Sequence, residues 1–147
     1  MVALSYKSDI IEPVIHWSFH DYVEGGQNRI ENWRTNDLSD AGKFGFDSLL
    51  KNTAKTESHL EWTGFKYLKG EAKKERIWQL DFLADGRQYR GLGVFGSLRR
   101  QAVLLIGCYH KGKVYTPQNA LDTAIKRAKA LREGKAITRE RKIKFGL

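Results

Sequence analysis

Arg90, His110, Lys111 and Lys113 are the residues of this chain whose types and spacing suit a reaction on a phosphodiester, and Tyr115 stands beside them. Metal-free RNA cleavage needs few parts. A base takes the proton from a ribose 2′-OH, cations stabilise the charge growing on the phosphorane, and an acid protonates the departing 5′-oxygen. Histidine suits the proton transfers near neutral pH, which makes His110 the candidate acid or base; its alternative is a structural residue at a strand end. Arginine holds phosphate with a planar fork and lysine with a point charge. Arg90 is therefore the candidate phosphate clamp, with one competing reading: Asp81 and Arg90 flank the same tight turn and can pair across it. Lys111 and Lys113 either reach a phosphate or remain solvated loop lysines. Tyr115 either stacks on a base or covers the start of the following helix. Arg87 and Arg127 complete the candidate RNA-binding set.

Other motifs carry less. His16, His20 and His59 lack the close spacing of metal ligands, and Cys108 is the only cysteine, so neither an internal disulfide nor a cysteine-based metal site is available. No metal or cofactor is expected. The glycine-rich "GLGVFG" of residues 91–96 lies inside a strand pattern rather than between a strand and a helix, so it is no phosphate loop.

The elements that must position these residues follow from periodicity. Residues 13–19, "PVIHWSF", alternate as a first strand. A helix follows Gly25-Gly26, with Ile30 and Trp33 on its apolar face. Ser39 or Asp40 caps a second helix carrying Phe46, Leu49 and Leu50. A connecting region is anchored by Leu60, Trp62, Phe65, Tyr67 and Leu68. Residues 76–84 place Trp78, Leu80, Phe82 and Ala84 on one strand face, and Asp85-Gly86 is a strong two-residue hairpin signal. "RQYRGLGVFG" returns as the second strand, and the near-continuous apolar run "QAVLLIGCYH" reads as a central third, giving an antiparallel meander. Thr116 as N-cap and Pro117 as first helical residue open the last helix, whose stripe is Ala120, Leu121, Ala124, Ile125, Ala128 and Leu131, and Gly134 ends it. Tyr109 is expected in the core. The basic tail, residues 135–147, is expected to be partly ordered at most. These elements make one α+β domain over residues 1–147.

Charge is divided unevenly along the chain. The formal net charge is +9, but residues 1–86 sum to −3 and residues 87–147 to +12. A basic half of that strength suits nucleic acid or another polyanion. No apolar run approaches a membrane span, and the first residues lack the apolar core of a secretory leader, so a cytoplasmic protein is expected, with no membrane association.

The ordered string Trp78-Gln79-Leu80, Tyr89-Arg90, Tyr109-His110-Lys111 and Thr116-Pro117, followed by Ala124 and Arg127 in a helix, resembles the phage-derived, HigB-like branch of the RelE/ParE toxin superfamily. The likeness runs over roughly residues 14–131. It implies a RelE-like fold: an N-terminal strand and two-helix hairpin, then the three-strand meander and a C-terminal helix. It also implies a type II toxin that cleaves mRNA, commonly on the ribosome, and is neutralised by a cognate antitoxin, often a helix-turn-helix protein. Arg90 matches the catalytic arginine of the family. Two positions depart from the pattern: Asp81 stands where an arginine is usual, and Gly112 where a second lysine is frequent. The competing functions are a non-catalytic binder of nucleic acid or protein on the same fold, and a ParE-type poison of DNA gyrase.

Overall fold

The computed structural model describes residues 14–145. One mixed sheet of eight strands organises them. In chain order the elements are β1 (Ser18–Glu24), β2 (Gln27–Asn28), α1 (Arg29–Asp37), α2 (Asp40–Ala54), a 3-10 turn at His59–Glu61, β3 (Lys66–Tyr67), α3 (Glu71–Lys74), β4 (Trp78–Ala84), β5 (Arg87–Phe95), β6 (Gln101–Lys111), β7 (Val114–Thr116), α4 (Ala120–Arg132) and β8 (Ile137–Glu140). The strands follow the spatial order β2-β1-β6-β5-β4-β3, with β7 paired to β6 and β8 to β1. β4, β5 and β6 pair antiparallel, whereas β1 runs parallel to β6, with Ser18 opposite Gln101. No helix among the described residues is long and apolar enough to cross a membrane.

Local chemistry explains most boundaries. The Asn28 side chain accepts from the backbone of Ile30 and Glu31 and so starts α1, and Ser39 accepts from Gly42 and starts α2. Asp85 and Gly86 both hold positive φ, 53° and 70°, which is the backbone of a primed two-residue turn whose twist matches its flanking strands. The turn sets the register that brings Asp81 opposite Arg90.

Two apolar layers sandwich the sheet. Trp17, Phe19, Trp62, Trp78, Leu80, Tyr89 and Leu104 pack with Ile30, Phe46 and Leu50 of α1 and α2 on one face. Ile77, Leu92, Val103, Leu105, Ile106 and Cys108 pack with Ala120, Ala124 and Ala128 of α4 on the other. Leu105 and Ile106 are neighbours on one face because the register slips there. Leu92 pairs with Ile106 but Gly93 with Leu104, leaving Leu105 as the extra residue of a β-bulge. After the bulge, Cys108 and His110 lie on the α4 face and Gly107 and Tyr109 on the other.

Four expectations are corrected. The first strand spans 18–24, not 13–19, because Trp17 and His16 turn their amides to the Ala54 carbonyl at the end of α2; Pro13 lies outside the described residues. Thr116 and Pro117 do not open the last helix: Thr116 pairs with Tyr109 as the end of β7, and α4 begins at Ala120 after Asn119, which makes no side-chain cap. Leu60 and Tyr67 are exposed rather than anchors, whereas Trp62 is buried. The described part of the tail, residues 135–145, carries a strand and an ion-paired arginine. β8 pairs with β1, and the Arg141 guanidinium, 10% exposed, bonds to Asp21 at 2.9 Å and Glu31 at 2.7 Å.

Candidate nucleic-acid site

Three strands deliver the central cluster. Arg90 of β5 lies opposite Asp81 of β4 on one side and Cys108 of β6 on the other, while His110 lies opposite Gln88 of β5 and Tyr115 of β7. Strand alternation puts these side chains on the α4 face, at the rim of its apolar core. Tyr115 packs against that core.

Asp81 is the hub. Its carboxylate lies 3.3 Å from Arg90 Nε, both side chains being 16% exposed, and it accepts at 3.1 Å from the amides of Gln79 and Gln88. Arg90 Nε is close enough for a charge contact but donates no hydrogen bond. Arg90 Nη1 donates to the Tyr115 hydroxyl at 3.3 Å, and the guanidinium lies 5.8 Å from the centre of the Tyr115 ring. The His110 ring meets Tyr115 edge-on, with centres 5.2 Å apart. Burial lifts the Asp81 carboxyl above its ordinary pKa, and the opposing charges of Arg90, Lys66 and His110 only partly offset it. Cys108, beneath the cluster, is so desolvated that its thiol is pushed up to about 12, which leaves it protonated and inert.

The sequence-derived candidates therefore separate. Arg90, His110 and Tyr115 come together. Lys111 is exposed and follows His110 in β6, so alternation sends it to the opposite face, where Arg87 caps the Tyr109 ring at 4.5 Å. Lys113 is exposed in the turn between β6 and β7, from which both faces are within reach of a lysine. Arg127 is not in this cluster: its Nη1 donates at 2.8 Å to the carbonyl of Leu105, the bulged residue. Tyr109 is half-buried against the α1–α2 layer. His20 bonds to Ser18 and Gln101, and His59 packs among Trp17, Phe65 and Phe95, both apart from the cluster.

Gln79, quoted in the motif string without a role, and Gln88 were not among the candidate site residues, although both have a legible signal. Each lies two residues from Asp81 or Arg90 and so shares its strand face. Gln79 is 2% exposed, its Nε2 donates to Asp81, and its buried Oε1 has no partner.

No protein-family model, curated protein or solved structure matches the chain.

Proposed function

We propose that this protein is an RNA-cleaving toxin of the RelE type that acts on mRNA, with its site at the end of the sheet where β5, β6 and β7 meet. The observation that carries this reading is the convergence of Arg90, His110 and Tyr115 from three strands onto one rim. In the proposed reaction His110 accepts the proton of the ribose 2′-OH. The 2′-oxygen forms a bond to phosphorus as the bond from phosphorus to the 5′-oxygen breaks. Arg90 stabilises the pentavalent charge and Tyr115 orients the flanking base or phosphate. Water protonates the 5′-oxygen and His110 returns its proton to solvent, which completes the step and leaves a 2′,3′-cyclic phosphate. Lys111, Lys113 and Arg87 hold the chain's phosphates at the strand end. A small protein with an acidic helical segment is the natural antitoxin for the basic half.

One observation favours a second reading. Asp81 occupies the charge of Arg90 in the free protein, as befits a binder that does not cut. In the cleavage reading the incoming phosphate competes with Asp81 for the guanidinium. Induced expression distinguishes the two: a cleaving toxin arrests growth and translation, and Arg90→Ala restores both. Normal growth under wild-type expression rejects cleavage.

A further inference from the structure

The edge of β6 that pairs with β1 up to Leu104 next finds a partner at Tyr109, in β7. Between these points lies a cavity of about 250 Å³, with Ile106 and Gly107 in its floor. Arg29, Asn32 and Asn36 enter it from one side of α1 at helical spacing, and Arg127 enters from α4. A Cβ at Gly107 would fall 2.2 Å from the Trp33 ring, so only glycine lets α1 approach this closely.

The two arginines are unusual in what they lack. Among the described residues neither forms an ion pair. Arg29 Nε is buried with no hydrogen-bond partner. Arg127 gives Nη1 to Leu105 and rests 5.2 Å from the centre of the Tyr22 ring, and its remaining donors have no protein acceptor among the described residues. Burial first, and the neighbouring charge of Arg29 next, hold the Arg127 guanidinium below the ordinary arginine value. Two carboxylates are near. Asp37, exposed at the end of α1, lines the cavity but forms no ion pair with either arginine. Glu24 is exposed and already accepts from the Tyr22 hydroxyl at 2.9 Å. Like charges that are partly desolvated and share no counter-ion are costly, and they persist where a ligand supplies the opposite charge.

We propose that this cavity is an anion site for a phosphate group, held by Arg29 and Arg127 with the Asn36 amide as a third donor. At about 250 Å³ it falls below the ~300 Å³ lower bound of pockets that enclose a whole drug-sized ligand, so it takes the phosphate and leaves the rest of the molecule outside. That phosphate belongs to a free mononucleotide or to an RNA backbone. The site shares no residue with the Arg90 cluster, and it stands whether or not that cluster cuts RNA.

The test titrates inorganic phosphate, 5′-AMP and a short single-stranded RNA into the full chain as wild type, Arg29→Gln, Asn36→Asp and Arg90→Ala, following heat of binding and melting temperature. Phosphate should raise the melting temperature of wild type and should still raise that of Arg90→Ala, whose cavity is intact. Arg29→Gln should weaken binding about ten-fold or more, the scale of one charge-assisted contact. Without ligand Arg29→Gln should melt no lower than wild type, since no protein partner is lost. If Arg29→Gln fails to fold, Asn36→Asp, an exposed change that adds negative charge at the rim, must still weaken binding. Binding of phosphate and 5′-AMP identifies the mononucleotide source. Binding of RNA alone, weakened by either cavity variant, identifies the backbone source. No binding by any probe overturns the proposal, as does equal binding by wild type and both cavity variants, or loss confined to Arg90→Ala.

Discussion

Asp81 decides how much charge Arg90 has to offer. Its folded pKa is raised, chiefly by burial, so its stabilising contribution is present below the unfolded value of 3.8 and is lost as pH rises through the folded value. The ionised form of the carboxylate is therefore a net cost that the Arg90 contact does not fully offset. Asp81→Asn keeps the shape and removes the charge. Its melting temperature at pH 7 should equal or exceed that of wild type, and any gap should close as the pH falls toward 4. A large drop at pH 7 would instead mean that the ion pair stabilises the fold. The same substitution frees Arg90, and RNA binding should tighten on the order of ten-fold, the scale of one charge-assisted hydrogen bond. Cys108 gives an independent check of how dry this face is. With its thiol pushed up to about 12, it should resist a thiol reagent at pH 8 in the native state and react fully once unfolded.

At the scale of elements, the bulge and the last strand set the arrangement. The bulge at Leu105 turns Cys108 and His110 to the α4 face, and Arg127 occupies the carbonyl it exposes. β8 is fastened by Arg141, whose side chain bridges Asp21 of β1 and Glu31 of α1. Arg141→Met leaves buried Asp21 without this cation and should cost about 3 kcal/mol in unfolding free energy, read from denaturant midpoints. Burial pushes the Glu31 carboxyl up, but hydrogen bonds from Arg141 and Thr35 and the charges of Arg141 and Arg34 outweigh it, so its pKa is lowered below 4.5. Its contribution is complete above about pH 4.5 and is lost as pH falls through the folded value. Much of this architecture was legible in sequence. The Asp85-Gly86 turn, the Ser39 cap and the apolar run of β6 each carry a local signal that the structure keeps. Thr116-Pro117 misled because the motif suits a helix start, while pairing with Tyr109 draws Thr116 into β7 instead. The bulge left no mark, because Leu104, Leu105 and Ile106 are all apolar and either face accepts them. The tail reads as a solvated basic run, since the acidic partners of Arg141 lie 110 and 120 residues away in sequence.

Over the whole molecule the charge imbalance acquires a location. Arg87, Arg90, Lys111 and Lys113 gather at one end of the sheet, from β5, β6 and the turn after it. If these four hold four phosphates of single-stranded RNA, log K against log salt should fall with a slope of about −3, and each substitution to alanine should flatten it by roughly 0.7. A slope near zero would separate this end of the sheet from nucleic acid. The most direct measurement is mapping of new RNA 5′ ends in a translation extract given wild type, Arg90→Ala or His110→Ala protein, each first checked for native melting. The expected result is discrete new ends with wild type, none with Arg90→Ala, and a rate about 100-fold lower or less with His110→Ala. Absence of new ends with wild type, or the same ends at the same rate with both variants, would contradict RNA cleavage by this site.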